Sequence, residues 1–270
     1  MLELNKIYNM DCLDGLRQLD DGSIDLTVTS PPYDNLRSYH GYSFDFENIA
    51  RELYRVTKEG GVLVWVVNDA TINGSETGTS FRQALYFKEI GFKLHDSMIY
   101  AKDSCPYPET NRYYPGFEYM FVFAKGKIKT VHLIKDKPNK YSGNKVNGTE
   151  RQSDGTTRKM AALRNHTERA IQPYGVRLNI WHYKNGYMKS TRDKRAYEHP
   201  AIFPEALAHD HIISWSNPGD TVLDCFSGSG TTLKMAKLTG RKYIGFEISS
   251  EYCAIAEERL AALGETLPDG

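Results

Sequence analysis

The chain has 270 residues, with 34 Lys and Arg balanced by 34 Asp and Glu, and 40% of its residues are hydrophobic. Such a length allows one large domain, or one domain carrying a sizeable insertion, and the composition excludes a disordered chain. The longest apolar run, Val62–Val67, is too short for a membrane span. The opening MLELNKIYNMD carries no signal-peptide pattern, and four dispersed cysteines (Cys12, Cys105, Cys225, Cys253) form no CxxC pair. The expectation is a cytoplasmic protein with reduced thiols, no disulfide framework and no metal site.

Taken in chain order, Leu4–Asp11 reads as a strand and Cys12–Leu19 as a short helix. Ile24–Thr29 is a β-type run that ends in a Pro-Pro turn. Ile49, Leu53 and Val56 recur at helical spacing and place a helix over Phe46–Thr57. Gly60 and Gly61 break that pattern, and the apolar Val62–Val67 reads as a central strand of a parallel sheet. A helix is expected over Ser80–Ile90, followed by strands Phe92–Tyr100 and Phe117–Phe123 with no clear helix between them. After a long irregular stretch come a helix (Phe203–Ser214), a strand (Thr221–Cys225), a helix from Thr231, a strand (Tyr243–Glu247) and a last helix to Leu263. Strands alternating with helices on both sides of the irregular stretch imply one doubly wound α/β domain.

The zero charge is a sum of opposed parts. Residues 126–198 hold 17 Lys and Arg against 6 Asp and Glu, a net of +11, which leaves −11 for the rest. The segment is rich in Asn, Gly, Ser, Thr and Tyr and poor in periodicity, so a solvated insertion is one reading. A phosphate-tracking surface is the other, with Tyr174, Trp181, Tyr183 and Tyr187 available for shape or base contacts. The basic stretch divides the chain into residues 1–125, 126–198 and 199–270.

Asp220–Thr232 reads as a hydrophobic strand, a Gly228-Ser-Gly230 turn and a helix start. Glycines let the backbone approach a ligand closely, and the helix start offers free N–H groups. Glu247 follows Asp224 by 23 residues at the end of the next strand, where a carboxylate can accept from two ribose hydroxyls. There is no third glycine at the pyrophosphate spacing, and Asp224 precedes the turn, where it could hold an ammonium or order water. Both points favour S-adenosylmethionine over a dinucleotide. The chain ends one helix after Glu247, too soon to complete a sheet. The missing strand is expected at the N-terminus, which makes the fold circularly permuted. Asp11, at the end of that strand, suits a helix N-cap, an acceptor for an adenine amino group, or both.

At the other reactive segment, Ser30-Pro31-Pro32-Tyr33 ends a strand. A serine hydroxyl and a proline carbonyl are both acceptors there, suited to an incoming amino group, and Tyr33 offers a flat face to a planar ring. Two hydrogen bonds from an amino nitrogen draw its lone pair out of conjugation and aim it at an electrophilic methyl.

The tetrapeptide resembles the (Asp/Asn/Ser)-Pro-Pro-(Tyr/Phe) motif of the amino-group DNA methyltransferases, and the motif order resembles their β class. Asp11–Leu16 is similar to that family's acidic turn for adenosine. His199-Pro200-Ala-Ile-Phe203-Pro204 is similar to its motif at the methionine end of the cofactor. Asp224-Cys-Phe226-Ser-Gly228-Ser-Gly230-Thr231 is similar to its Asp-x-Phe-x-Gly-x-Gly-Thr motif, and Gly245-Phe-Glu247 to its ribose-binding strand end. The resemblance implies a Rossmann-like fold with a catalytic half (1–125), a basic target-recognition region (126–198) and a cofactor half (199–270), S-adenosyl-L-methionine as cofactor, and base flipping from double-stranded DNA. It also implies restriction-modification biology, leaving open a cognate restriction endonuclease and a monomeric or homodimeric state. Serine at the first motif position is the form associated with cytosine-N4 enzymes, and aspartate with adenine-N6; the expectation is therefore N4, with N6 as the alternative. Cytosine C5 is disfavoured, because the chain has Cys105-Pro106 and no Pro-Cys turn. An RNA or protein-amide methyltransferase, or a non-catalytic nucleic-acid-binding module, fits the motif order less well.

Overall fold

The computed structural model describes residues 2–32, 44–103, 111–145, 148–159, 170–202 and 204–264. Its backbone contacts divide it into a larger unit, Met1–His132 with Asn179–Gly270, and a smaller one, Leu133–Leu178. Residues 126–132 and 179–198 of the basic stretch thus belong to the larger unit.

The larger unit is built on an eight-stranded sheet. In chain order its elements are β1 (Lys6–Asn9), α1 (Cys12–Arg17), β2 (Ile24–Thr29), α2 (Phe46–Val56), β3 (Thr57–Val67), α3 (Thr79–Glu89), β4 (Lys93–Lys102) and β5 (Phe117–Ala124). Then follow β6 (Ile180–Tyr183), α4 (Glu205–Trp215), β7 (Thr221–Asp224), α5 (Thr231–Leu238), β8 (Lys242–Glu247) and α6 (Ser250–Ala261). Across the sheet the strands run β1-β8-β7-β2-β3-β5-β4-β6. β1 pairs in parallel with β8, Ile7 opposite Gly245 and Asn9 opposite Glu247, so the N-terminal strand completes the C-terminal half as the permuted reading requires.

Two expectations change. Val62–Val67 is parallel to β2 on one side only; on the other it pairs antiparallel with β5, Trp65 opposite Phe121. The physical reason is that β4 and β5 form an antiparallel pair, with no helix among the described residues between them. The irregular basic stretch also contains an unexpected strand. β6 pairs in parallel with β4, and Trp181, set aside for base contacts, is buried core against the His211 ring at 4.6 Å.

Period-two alternation divides the core. Leu63, Trp65 and Val67 face a cluster with Leu16, Ile49, Leu53 and Phe87 from α1–α3. Their neighbours Val62, Val64 and Val66 are equally buried and face the opposite layer. There α4 lays His211 against Met120, Nε2 to Sδ at 3.3 Å. The smaller unit holds a short hairpin, Thr149–Arg151 with Thr157–Lys159, and a short antiparallel pair, Lys137–Pro138 with Tyr174–Gly175. Its sequence span carries ten Lys and Arg against four Asp and Glu.

Burial pushes the His211 imidazole down to about 3, so the folded protein holds it neutral where an unfolded chain would protonate it. The unfolded state then binds the extra proton between about pH 6.5 and 3, and stability falls as pH falls through that window. Denaturant titrations should show His211→Phe flattening this loss by up to about 1.4 kcal/mol per pH unit; an unchanged slope would show that His211 does not contribute.

Candidate active site

The carboxyl ends of the parallel strands point to one edge of the sheet. From β7 the chain turns towards β8, and from β2 towards β3, so the strand order reverses between β7 and β2. In open α/β sheets ligands bind at such a switch point. β4 runs parallel to β6 and antiparallel to β5, which brings the end of β4, the start of β5 and the end of β6 to the same edge. A cavity of about 510 Å³ opens along it.

Ser30, Pro31 and Pro32 line this cavity, as do His199, Pro200, Phe226, Gly228, Thr231 and Glu247. Motifs from the two halves of the chain therefore meet in one space. Tyr33 and Phe203 lie outside the described residues, as does the 34–39 loop expected over the site.

The turn after β7 is shaped by its glycines and by what they touch. Gly228 has φ +48°, and its backbone N–H donates to Glu247 Oε2 at 2.9 Å. A β-carbon there would stand 2.9 Å from His199 Nε2. Gly230 (φ +74°) starts α5 against Ala256, leaving no room for a side chain. α5 reaches the cavity at its first residue, Thr231, next to Ser227 and Ser229. Glu247 also accepts from Ser249 N–H at 2.8 Å. Burial pushes its carboxyl up, opposed by these N–H donors, and each oxygen keeps acceptor capacity for a diol. His199 Nδ1 accepts from Ala201 N–H at 3.1 Å, and its ring packs edge-on to Tyr252.

Of the expected cofactor residues, Asp11, Asp224 and Gly230 are not among those that line the cavity. Asp224 is 1% exposed; its Oδ1 accepts from Thr29 Oγ1 at 2.7 Å and Phe226 N–H at 3.1 Å. Burial raises its carboxyl to about 6 against those donors. Asp11 caps α1, its Oδ1 accepting from Leu13 N–H at 2.7 Å, while its neighbours Met10 and Cys12 line the cavity.

Apart from Tyr187, the sequence reading missed the far wall. Tyr100 and Lys102 at the end of β4, Glu118 at the start of β5, and Asn185, Gly186 and Tyr187 after β6 all line the cavity. Lys102 Nζ pairs with Glu118 at 2.6 Å. Burial, with Glu118 nearby, pushes the Tyr100 phenol up and keeps it protonated. The available signal was a lone acid at the start of the apolar run Phe117–Phe123. Of the aromatics set aside for base contacts, Tyr187 is exposed at the cavity, Tyr174 is exposed in the smaller unit, and Tyr183 donates to Asp210 at 2.7 Å. Among the described residues no cluster of His, Cys, Asp and Glu could hold a metal ion, and no helix is long and apolar enough to cross a membrane.

Because burial raises Asp224, its ionised form weighs against the fold increasingly as pH rises from about 4 through about 6. Asp224→Asn keeps an acceptor for Thr29 and Phe226. In chemical denaturation its stability relative to the parent should rise across that window and then level off. Asp224→Leu should lose roughly 1–3 kcal/mol by stranding both donors. A stability difference between parent and Asp224→Asn that stays constant from about pH 4 to 7 would contradict this.

A family model described as DNA methylase matches residues 24–258. The orphan methyltransferase M.BamHII of Bacillus amyloliquefaciens is 63% identical over 90% of either chain. The DNA adenine methyltransferase YhdJ of Escherichia coli is 30% identical, covering 96% of this chain and 83% of its own. Among solved structures, the cytosine-N4-specific PvuII DNA methyltransferase superposes with TM-score 0.66 at 21% identity, over 94% of this chain and 85% of its own. The TTHA0409 DNA modification methylase of Thermus thermophilus, complexed with S-adenosyl-L-methionine, superposes with TM-score 0.64 at 23% identity, over 97% and 95%. With a switch-point cavity that joins a Ser-Pro-Pro turn to a glycine turn and a strand-end carboxylate, this chain belongs to the N6/N4 amino-group DNA methyltransferase family.

Proposed function

We propose that the chain is a site-specific DNA methyltransferase that transfers the methyl group of S-adenosyl-L-methionine to the N4 amino group of a cytosine flipped from double-stranded DNA. The observation that carries this reading is the shared cavity: Ser30-Pro31-Pro32 lines it together with Phe226–Ser229, Thr231 and Glu247.

The residues present suit that cofactor. Glu247 offers carboxylate oxygens for the ribose hydroxyls, and Phe226, Phe246 and Ile248 offer apolar surface for adenine. The Ser227–Thr231 turn offers hydroxyls and N–H groups for the amino-acid tail, and Gly228 leaves room beside His199. When bound, S-adenosyl-L-methionine supplies an electrophilic methyl carbon on a sulfonium.

The chain's own work is positioning. Ser30 Oγ and the Pro31 carbonyl accept the two amino hydrogens, and the lone pair of the nitrogen turns towards the methyl carbon. The N–C bond forms as the C–S bond breaks, and the amino nitrogen then releases a proton through its acceptors to solvent. Tyr33 stacks on the ring. The adenine-N6 reading stays open because the family includes both targets and YhdJ is named an adenine enzyme. Serine at position 30 favours N4.

Target recognition falls to the basic segment, residues 126–198, since the −11 remainder repels a phosphate backbone. Affinity for duplex DNA should weaken at least about tenfold between roughly 50 and 200 mM salt. A flat salt dependence would contradict this assignment. Nucleoside digestion of a methylated duplex library should release N4-methylcytosine; N6-methyladenine would overturn the cytosine reading. Ser30→Ala should cut turnover on the order of 100-fold with DNA affinity retained, and unchanged turnover would overturn the role of Ser30.

A further inference from the structure

Arg259 is a fully buried cation in α6. None of its atoms lines the cavity, yet its guanidinium joins two of the cavity's walls. One nitrogen, Nη1, donates to the backbone carbonyl of Ser229, to Ser229 Oγ at 3.1 Å and to Thr231 Oγ1 at 3.4 Å, all on the turn that starts α5. Nε donates to Asp193 Oδ2 at 2.8 Å, and Nη2 to Glu205 Oε1 at 2.9 Å.

Those two acids lie within and just after a second stretch that lines the cavity, Ser190 to Ile202. Asp193 lies between the cavity residues Ser190 and Tyr197, and Glu205 starts α4 shortly after His199–Ile202. Thr191 Oγ1 donates to Glu205 at 2.7 Å, and Glu205 N–H donates to the Ser190 carbonyl at 3.0 Å. A second cation, Lys234 of α5, reaches the same Glu205 oxygen at 2.7 Å and Asp193 at 3.9 Å. The four charges sum to zero.

Stability alone is a poor reason for such a cluster. Desolvating paired charges costs about what their attraction returns, and apolar packing of the same volume serves as well. What a planar fork provides, and apolar packing does not, is fixed direction: three sets of donors at set angles to three chain segments.

We propose that Arg259 is a positioning residue for the cofactor: from behind the turn, with Asp193 and Glu205, it sets the spacing between Ser229–Thr231 and the Ser190–His199 wall. The same wall runs back to Asn185–Tyr187 at the far end of the cavity. The inference rests on reading this cavity as the S-adenosyl-L-methionine site.

Arg259→Lys keeps the charge, but a single ammonium cannot hold the turn, Asp193 and Glu205 together. In titration calorimetry, S-adenosylhomocysteine should bind Arg259→Lys about tenfold more weakly. KM for the methyl donor should rise by a similar factor, with kcat at saturation within about threefold of the parent. Asp193→Asn, which keeps an acceptor for Nε and the folded segment, should weaken binding roughly threefold; it decides the matter if Arg259→Lys does not fold. Parent-like affinity in a folded variant, whatever its melting temperature, would overturn the proposal. No binding by the parent protein would instead overturn the cofactor reading beneath it.

Discussion

The structure depends on one buried contact at the strand switch point. Thr29 Oγ1 donates to Asp224 Oδ1 at 2.7 Å across 195 residues of sequence, at the ends of β2 and β7. The next residue after Thr29 opens the Ser-Pro-Pro turn, and the second residue after Asp224, Phe226, lines the cavity and donates its N–H to the same carboxylate oxygen. Thr232 Oγ1 adds a bond from α5 to the Val28 carbonyl at 3.1 Å. The reactive turn and the glycine turn are thereby held in one frame, and a direct transfer between two bound groups requires that frame. The cost is visible in the raised carboxyl of Asp224, which is buried and bonded to Thr29 and Phe226.

Charge is partitioned as sharply as geometry. Around the cavity the acids are committed to neighbours: Glu247 to the Gly228 and Ser249 N–H groups, Glu118 to Lys102, Asp193 and Glu205 to Arg259. The cations of the 133–178 span mostly lack acids nearby in sequence, ten against four. A neutral total therefore coexists with a basic span and an acidic remainder.

Legibility followed locality. Strand–glycine turn–helix units and the Ser-Pro-Pro turn are encoded in contiguous residues, so β2, β7, α5 and β8 were readable to within a residue or two. The N-terminal partner of β8 was readable from the strand pattern of Leu4–Asp11 and the acid that ends it. Much of the rest was hidden by distance. Lys102 and Glu118 become neighbours only through an antiparallel register, and Arg259 meets Asp193 across 66 residues. Trp181 looked like a surface aromatic because β6 is an edge strand of four residues inside an irregular, charged stretch. Asp224 was readable as important but not as inward-facing, since only the Thr29 hydroxyl opposite reveals which way it turns.

The central claim is that one crevice holds methyl donor and target amino group together. A crystal structure with S-adenosylhomocysteine and a duplex containing the target site tests it most directly. The account predicts the ribose hydroxyls on Glu247 and an extrahelical base whose exocyclic nitrogen lies between Ser30 Oγ and the Pro31 carbonyl. A base left stacked in the duplex, or a nucleoside bound away from Glu247, would contradict it.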